Sequence, residues 1–417
     1  MKILWITNIV FPEAISKLTG EREFKSSGGW MLGAADALLK NDGVELFVAS
    51  VSTVVSKLTK VDGDKIVYYL IPYGKGNLKI NNEYIPYWQQ IKDELSPDIV
   101  HIHGTEATHG YAYLKACGNK NVIISIQGII SIIAKYYSLG ISYSDIFCNL
   151  TFKDILKGGI LAEKNDFVRR GYIEMEMIKM VDHIIGRTSW DRANTWAINP
   201  DAKYHFCNET LRAEFYDGSL WNYKKCDKHT IFLSQSSYPI KGLHQLLNAM
   251  PVILRHYPDT KIRIAGSDIT KVKSFGDWLR YSNYGKYVSS LIKKYNLKDK
   301  VVFTGNLNAE EMKQEYLKCN VFVCPSTIEN SPNSLGEAQI LGVPCVASYV
   351  GGIPDMMKGN EDNLYRFEEV AMLAQKVCNI FAAEDNQVSM KAEAEKRHDP
   401  KINSERLYEI YNSIVNK

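Results

Sequence analysis

Two carboxylates separated by seven residues, Glu329 and Glu337, have the types and spacing that most directly suggest chemistry in this chain. Residues 321–323 form a short apolar run of strand-forming side chains, and a polar loop follows before Glu329. Glu329 is therefore predicted to lie on a loop at the end of a strand. A carboxylate in that position can accept hydrogen bonds from the hydroxyl groups of a bound ligand.

A helix is predicted to begin between the two carboxylates. Ser331 is a good N-cap and Pro332 suits the first helical position, so the helix should run to about Leu341. In that register the backbone N–H groups of Asn333 and Ser334 have no partner inside the helix, and the positive end of the helix dipole adds to them. The predicted helix start therefore suits a phosphate group.

Glu337 and Leu335 belong to the same predicted helix. Glu337 is three residues beyond Ser334, so these two side chains share one helix face. A carboxylate there could accept hydrogen bonds from both hydroxyls of a ribose. Leu335, which stands between them, is assigned to the same ligand-binding segment.

The spacing of the two glutamates, followed by Gly-Gly-Ile-Pro at 351–354, resembles the signature of the family-4 retaining glycosyltransferases. The resemblance implies a nucleoside diphosphate sugar as donor. It implies that Glu329 contacts the donor sugar, that Glu337 holds the ribose, and that the helix start between them receives the diphosphate. The order of strand, capped helix and glycine turn is the context that such a motif requires.

A second loop, at 236–242, resembles the Gly-Arg-x4-Lys-Gly loop of that family. Lys241 takes the place of the family lysine, where an ammonium group could stabilise charge on a leaving diphosphate; a solvated loop lysine is the alternative. Gln235 and Ser236 stand where the family arginine is expected, and Ser236 is kept as a donor-binding candidate. We predict Lys241 and Glu329 as the catalytic residues.

Two further donor-binding sites are predicted in the first half of the chain. Gly28 and Gly29 open a predicted helix at 30–39 after a strand region, so they form either a phosphate loop or a simple turn. The resemblance places a Gly-Gly loop here, facing the donor phosphates. Gln127 stands where the family often has a histidine, and its amide can donate a hydrogen bond but cannot titrate.

The length of 417 residues exceeds the size at which one hydrophobic core keeps growing, so two domains of about 200 residues each are expected. Short apolar runs alternate with helical segments, which predicts an α/β protein with two doubly wound, Rossmann-like domains. The predicted strands are 3–6, 46–50, 66–71, 99–102, 122–126 and 183–186, and then 231–234, 261–265, 301–304, 321–323 and 345–348.

The predicted domains are residues 1–220, an N-terminal acceptor-side domain, and residues 221–400, a C-terminal nucleotide-sugar-binding domain. The resemblance implies the GT-B fold, in which two such domains face one another across a cleft. In that fold the last helix usually crosses back to the first domain. The apolar stripe within 401–417 predicts either such a crossing helix or a simple terminal core helix.

Residues 129–180 favour helices and carry many aromatic and basic side chains. A membrane-facing acceptor site is one interpretation. Basic and acidic residues are nearly balanced between 144 and 172, however, which is unlike a strongly basic interfacial helix. We therefore expect a helical insert near the acceptor cleft.

No metal ion or bound cofactor is expected. His101 and His103 alternate along a strand with Glu106 and His109 nearby, but their spacing fits no common zinc site, and a buried core position is the better interpretation. The Asp-Gly-Asp segment at 62–64 lies between strand candidates and indicates a surface turn.

Composition excludes several classes of protein. A net charge of +3 gives no electrostatic case for nucleic acid as a partner. No apolar run approaches the length of a transmembrane helix, and the short apolar start of the chain indicates a buried strand rather than a signal peptide. Eight scattered cysteines indicate reduced thiols in a cytoplasmic protein. Peripheral contact with the inner face of a membrane stays open.

The sequence therefore predicts a metal-independent, retaining glycosyltransferase of the hexosyltransferase type. It would move a sugar from a nucleoside diphosphate sugar to a hydroxyl of a glycan or lipid-linked acceptor, and the resemblance suggests bacterial surface polysaccharide biosynthesis as the setting. Two alternatives remain. One is a sugar-nucleotide epimerase or phosphorylase of the same fold, and the other is a nucleotide-sugar-binding pseudoenzyme, which the missing arginine would explain.

Overall fold

The computed structural model describes residues 1–20, 29–73, 82–383 and 389–416. The chain divides into two compact units. Unit 1 consists of Met1–Ile132, Phe167–Ala213 and Arg397–Lys417, and unit 2 consists of Ile133–Asp166 and Glu214–Lys396. Each unit contains one predominantly or wholly parallel sheet with helices, as the alternation of apolar runs and helical segments predicts.

The strands follow one another in chain order through the two units. They are β1 (Lys2–Thr7), β2 (Glu45–Ser52), β3 (Thr59–Asp62), β4 (Ile66–Pro72), β5 (Ile99–His103), β6 (Val122–Ser125), β7 (His183–Gly186), β8 (Lys203–Phe206), β9 (Thr230–Leu233), β10 (Lys261–Ile264), β11 (Val301–Phe303), β12 (Val321–Cys324), β13 (Cys345–Ser348) and β14 (Leu364–Tyr365).

The helices connect these strands. They are α1 (Pro12–Thr19), α2 (Gly29–Leu38), α3 (Ile85–Leu95), α4 (His109–Cys117), α5 (Ile130–Tyr136), α6 (Tyr143–Cys148), α7 (Phe152–Lys157), α8 (Gly159–Lys179), α9 (Ser189–Ile198), α10 (Leu243–His256), α11 (Phe275–Arg280), α12 (Asn283–Lys294), α13 (Ala309–Lys318), α14 (Asn333–Ile340), α15 (Ile353–Met356), α16 (Val370–Ala382), α17 (Lys391–Arg397) and α18 (Pro400–Val415). No helix in the described ranges is both long and apolar enough to cross a membrane.

The sheet of unit 1 has the strand order β3-β4-β2-β1-β5-β6-β7-β8, and β3 is antiparallel to β4. The sequence missed β3 and β8, which are the two edge strands. Their residues, TKVD and KYHF, contain too few apolar side chains to stand out as a buried strand. An edge strand has one neighbour and is only partly covered, so it lacks the continuous apolar run of a central parallel strand.

The sheet of unit 2 has the strand order β11-β10-β9-β12-β13-β14, and all its pairings are parallel. Strands β9 and β12 lie side by side at its centre, and all of their residues are buried. Their carboxyl ends therefore meet at one edge of the sheet, where loops from parallel strands usually bind ligands. The two-residue strand β14 escaped the sequence analysis because it is too short to give a pattern.

Residues 133–166, which the sequence-based boundary at 220 places in the first domain, belong to unit 2. Three hydrogen bonds tie them there. His244 Nε2 donates to the carbonyl of Leu139 at 3.0 Å, and Asn283 Nδ2 donates to the carbonyl of Ile146 at 2.9 Å. The Thr151 hydroxyl donates to another backbone carbonyl of unit 2 at 2.7 Å. These contacts join segments more than a hundred residues apart, so no local sequence pattern reports them.

Helix α18 belongs to unit 1 and packs its apolar stripe into the core beside β1 and β5. Trp5 Nε1 donates a hydrogen bond of 3.0 Å to the hydroxyl of Tyr411, and that hydroxyl lies 2.5 Å from His101 Nδ1. The rings of His101 and His103 stack at 3.7 Å. Burial lowers the pKa of His103 to about 3, so both histidines occupy a neutral, packed core position.

Candidate functional site

The loops that follow β9 and β12 bring Lys241 and Glu329 together. Lys241 Nζ lies 2.6 Å from Glu329 Oε1, and the hydroxyl of Ser326 donates a hydrogen bond of 2.9 Å to the same oxygen. The two side chains are 21% and 14% exposed, so the ion pair is largely shielded but can be reached from solvent. The structure therefore places the two predicted catalytic residues in direct contact.

Glycine at position 242 allows the two loops to approach each other. Gly242 has a φ of +69°, and a Cβ atom added there would lie 1.7 Å from the carbonyl oxygen of Pro325. Beside this contact, the amide of Thr327 donates a hydrogen bond of 2.7 Å to the carbonyl of Ile240. A larger residue would push the loops apart, because that carbonyl belongs to backbone that cannot rotate away.

The Gly-Gly turn fixes the backbone of Glu329 from the other side. Gly351 has a φ of +54°, and a Cβ atom added there would lie 1.8 Å from the Glu329 carbonyl oxygen. The amide of Gly352 donates a 3.0 Å hydrogen bond to that same oxygen. Ser348 donates from its hydroxyl to the carbonyl of Ser326 at 2.6 Å. The Gly-Gly turn therefore holds the backbone of Glu329 in place, which its sequence alone does not show.

Lys241 is charged, and the ion pair has hydrogen-bonding groups that a ligand could use. Burial by itself lowers the pKa of Lys241, but the neighbouring Glu329 carboxylate outweighs burial and holds that pKa above its usual value. Lys241 therefore carries a positive charge at physiological pH. An ammonium group has three N–H donors, and Glu329 accepts one of them. Within the described ranges, no hydrogen bond reaches Glu329 Oε2.

Helix α14 begins one residue later than predicted. Pro332, with φ −67° and ψ 117°, is the N-cap, so the expectation that Ser331 caps the helix is wrong. The extended ψ of Pro332 places it outside the helix, and the Ser331 hydroxyl instead lies 3.5 Å from a methionine sulfur. The amides of Asn333 and Ser334 still have no hydrogen-bond acceptor among the residues that the structure describes.

The other predicted residues of this segment differ in what they can offer a ligand. Leu335 is fully buried, and its amide donates to the carbonyl of Pro332 at 2.9 Å, so the phosphate prediction depends on Asn333 and Ser334. The carbonyl of Ser334 accepts a 2.9 Å hydrogen bond from the hydroxyl of Tyr316, which fixes the first turn. Glu337 is buried one turn further along α14.

The positions of Ser236 and of the glycines in the first half of the chain give less support for a role in donor binding. Ser236 is buried just beyond the end of β9, and the neighbouring Gln235 is exposed. Both side chains are neutral, so neither supplies the positive charge of the family arginine. Gly29 is the first residue of α2. Gly28 lies outside the described residues. The role of the Gly-Gly pair in phosphate binding stays a prediction.

Gln127 belongs to unit 1, where it contacts a buried ion pair that the sequence analysis missed. Its side-chain N–H donates to Glu209, and its carbonyl oxygen accepts from Arg187 Nη2 at 3.3 Å. Arg187 and Glu209 pair directly, and both are almost inaccessible to solvent. Burial raises the pKa of Glu209, and Arg187 opposes that shift. The available signal was a charged residue immediately after the apolar strand β7.

Two further acids of unit 1 lie near the carboxyl end of β5, where Glu174 is buried and Glu106 is half-buried. Glu174 on α8 accepts hydrogen bonds from the amides of Ile130 and Ser131, at 2.9 and 2.7 Å, and from the hydroxyl of Thr105 at 2.5 Å. Glu106 is nearby in the loop after β5, and burial raises its pKa to about 7. Carboxyl groups with a raised pKa are common at functional sites.

Comparison with known sequences adds a family context. Residues 222–397, less than half of the chain, match the family model described as "Glycosyl transferases group 1". An uncharacterized glycosyltransferase of Methanocaldococcus jannaschii is 31% identical over 139 residues, which are 33% of this chain and 32% of that protein. Spore coat protein SA of Bacillus subtilis is 25% identical over 193 residues, 46% of this chain and 49% of that protein. The chain therefore matches about half or less of the length of these curated relatives.

Solved structures share the fold over nearly the whole chain. Sucrose-phosphate synthase from Thermosynechococcus elongatus superimposes with a TM-score of 0.71 at 15% identity, covering 99% of this chain and 98% of that chain. Anabaena HepE, solved in complex with UDP and glucose, gives a TM-score of 0.67 at 15% identity, covering 99% of this chain and 100% of that one. The likeness confirms the predicted α/β fold with two Rossmann-like units, of the GT-B type.

Proposed function

We propose that this protein is a retaining glycosyltransferase that moves a sugar from a nucleoside diphosphate sugar to a hydroxyl group of a glycan or lipid-linked acceptor. The observation that carries the proposal is the Lys241–Glu329 pair, 2.6 Å apart, in which Glu329 lies four residues before a helix start with two amides for which no described residue is an acceptor. This arrangement combines a cation, a carboxylate and oriented N–H donors. These are the groups that a sugar linked to a diphosphate requires.

Each group has a chemical part in the proposed reaction. Lys241 keeps two N–H donors beyond the one that Glu329 accepts, and these would bind oxygens of the leaving diphosphate together with the amides of Asn333 and Ser334. Glu329 Oε2, which no described residue contacts by a hydrogen bond, would accept a hydrogen bond from a hydroxyl of the donor sugar. Glu337 would bind the ribose from one turn deeper in α14.

Retention of the anomeric configuration requires that the acceptor attack from the face that the diphosphate leaves. We propose that a phosphate oxygen of the leaving group accepts the proton of the acceptor hydroxyl. The leaving diphosphate would then be the base for the acceptor hydroxyl, whose oxygen bonds to the anomeric carbon on the same face. Lys241 would stabilise the charge of the diphosphate as the sugar bond breaks. On this proposal the reaction needs neither a divalent metal ion nor a bound cofactor.

The comparisons support this proposal at the level of reaction class. Lys241, Glu329 and Glu337 lie within the segment that matches the group 1 model, and the Anabaena structure of the same fold contains UDP and glucose. We extend the proposal to a nucleotide-sugar donor of that kind. Surface polysaccharide biosynthesis in the cytoplasm, with peripheral contact at the inner membrane face, is the setting that we propose.

The experiment that tests the proposal is a donor screen followed by a transfer assay. A panel of nucleoside diphosphate sugars would be screened by thermal shift, and each stabilising donor would be incubated with glycan and lipid-linked acceptors. Release of nucleoside diphosphate with a new glycosidic bond of retained configuration is the expected result. Reversible change of the donor sugar without an acceptor would indicate an epimerase, and phosphate-dependent cleavage a phosphorylase. Donor binding without transfer or hydrolysis would indicate a pseudoenzyme.

A further inference from the structure

Three short helices of unit 2, α6, α7 and α11, expose apolar side chains that helices of this kind normally bury. Ile155 on α7 is 75% exposed, Phe275 on α11 is 73% exposed, and Phe147 on α6 is 58% exposed. Isolated exposed apolar residues are ordinary, but a group of large ones on neighbouring elements marks an interaction surface. This surface is called the apolar face below.

The exposed residues of the apolar face have helical spacing. On α7 the positions i, i+3 and i+4 are Phe152, Ile155 and Leu156, so one side of the helix is apolar and points outward. Helix α11 repeats this spacing with another three exposed apolar residues, Phe275, Trp278 and Leu279. An amphipathic helix normally turns its apolar side toward the core, but α7 and α11 both turn that side toward solvent.

Aromatic stacking joins the two helices into one continuous surface. The rings of Phe152 and Trp278 stack with their centroids 5.3 Å apart, and Trp278 also stacks on Phe275 at 5.7 Å. The same rings remain substantially exposed on their outer sides. The apolar face thus combines two segments that are more than a hundred residues apart in the chain.

Several lysine side chains lie on or beside the helices of the apolar face. Four lysines on or beside α7 and α11 form neither an ion pair nor a side-chain hydrogen bond with any described residue: Lys153, Lys157, Lys271 and Lys273. The acids of these helices are engaged locally, since Asp154 caps the start of α7 with Thr151, and Asp277 caps the start of α11 with Ser274. Those two carboxylates keep their negative charge, but α7, α11 and residues 271–274 carry five basic side chains, so this part of the surface has a net positive charge.

We propose that the apolar face docks on an anionic lipid membrane. Aromatic and aliphatic side chains would enter the region of headgroups and upper acyl chains, while the lysines contact lipid phosphates. A second copy of this chain fits less well, because a two-fold contact through the same face would bring its unpaired lysines together. This inference rests on the peripheral membrane contact in the proposed function and assigns that contact to one surface, and its test does not require transfer activity.

A cavity of about 290 Å³ connects the apolar face with the donor loop. Lys153 and Lys271 line it from the side of the apolar face, and Tyr238 and Pro239, which precede Lys241, line it from the other side. The cavity therefore extends from the helices of the apolar face to the residues that precede Lys241.

The test uses the full chain and sedimentation with vesicles. One set contains phosphatidylcholine alone, and the other contains equal parts of phosphatidylcholine and phosphatidylglycerol. The wild type should bind the anionic vesicles and bind the neutral vesicles more weakly. The triple variant Ile155→Ser, Leu156→Ser, Phe275→Ser should lose at least about tenfold in vesicle affinity. The variant Lys153→Gln, Lys157→Gln, Lys273→Gln should lose the preference for anionic lipid and its salt dependence.

The control places equivalent changes elsewhere. Trp196 and Ile402 are exposed apolar residues of unit 1, and Trp196→Ser with Ile402→Ser should leave vesicle binding unchanged. All the substituted side chains are solvent-accessible, so thermal unfolding should stay close to that of the wild type. Wild-type protein that ignores anionic vesicles, or apolar-face variants that bind like the wild type, would overturn the proposal. A concentration-dependent dimer that the Ile155, Leu156 and Phe275 changes abolish would assign the face to a second copy instead.

Discussion

Lys241 and Glu329 are 88 residues apart in the chain, and their side chains form an ion pair of 2.6 Å at the edge of the unit 2 sheet. They meet because β9 and β12 are neighbours and both loops leave the same edge. Two glycines, at positions 242 and 351, keep the loops in contact. The pair, rather than either residue alone, is the feature on which the proposed chemistry depends.

Replacement of the lysine should affect the chemical step more than donor binding. The leaving diphosphate gains charge as the sugar bond breaks, and an ammonium group stabilises that change preferentially. Lys241→Ala should therefore lower kcat by about a hundredfold or more, equivalent to at least about 2.7 kcal/mol, while the donor KM changes less. Steady-state kinetics at saturating acceptor measure this, and Lys358→Ala, an exposed lysine of the same unit, is the control. A rise in KM at constant kcat would show that Lys241 contributes uniform binding.

Glu337 should contribute to nucleotide affinity. If its carboxylate accepts both ribose hydroxyls, Glu337→Ala should weaken binding of the nucleoside diphosphate by about 1.5 to 3 kcal/mol, the range for charge-assisted hydrogen bonds. Titration calorimetry with the free nucleotide is the measurement. The exposed Glu310 of α13 provides the control Glu310→Ala. Unchanged affinity in a folded Glu337→Ala protein would remove this residue from the site.

A substitution at Gly351 has two effects, a clash with the Glu329 backbone and the free-energy cost of a left-handed conformation, and a second glycine allows them to be separated. Gly351 and Gly359 both have positive φ, +54° and +87°, but only at Gly351 would a Cβ meet backbone within 4 Å. Both alanine variants should lose about 1 to 2 kcal/mol of folding free energy from the left-handed conformation. Gly351→Ala should in addition move the Glu329 loop and lower kcat/KM by at least about tenfold. Equal activity of the two variants in transfer assays would contradict the positioning argument.

Glu106 should make the stability of unit 1 depend on pH. Burial raises its pKa to about 7 in the folded protein, so the folded state holds a proton that the unfolded state releases near its ordinary pKa. The stabilising effect of that proton is complete at low pH and declines as pH rises to about 7. Glu106→Gln removes the dependence, so its melting temperature relative to wild type should rise between pH 5 and pH 8. Glu45→Gln, an exposed carboxylate of unit 1, is the control and should show no such trend.

Transfer activity should survive chelation of divalent metals. In the proposed site, Lys241 and the amides of Asn333 and Ser334 meet the charge of the diphosphate. Activity measured with and without EDTA should therefore agree within about twofold, since no step is assigned to a metal. Loss of activity with EDTA that magnesium or manganese restores would contradict this assignment. The thermal unfolding curve with EDTA serves as the control for a structural effect.

For Gln127, the sequence identified the position in the fold but not the residues that it contacts. The sequence placed Gln127 at the end of a strand, which is correct, since β6 ends two residues earlier. Its partners, Arg187 and Glu209, follow β7 and β8. Hydrogen bonding among them depends on β6, β7 and β8 being successive neighbours in the sheet. That order is a property of the assembled sheet and has no trace in the residues around Gln127.

The sequence by itself determined the local elements that carry the candidate site. The strand before Glu329, the helix after it and the loop that holds Lys241 follow from apolar periodicity, turn residues and helix-start signals, which act over a few residues. Among these elements, the predicted start of α14 was one residue too early, because Pro332 rather than Ser331 is its N-cap.

Tertiary structure alone decided which of these elements touch. It paired Lys241 with Glu329, gave residues 133–166 to unit 2, and stacked Phe152 of α7 on Trp278 of α11 with their outer sides exposed. Local patterns specify which side of an element is apolar, but not what covers that side. The covering partner is set by strand order and by packing between segments far apart in the chain, because the free energy of burial depends on the neighbours that the whole fold supplies.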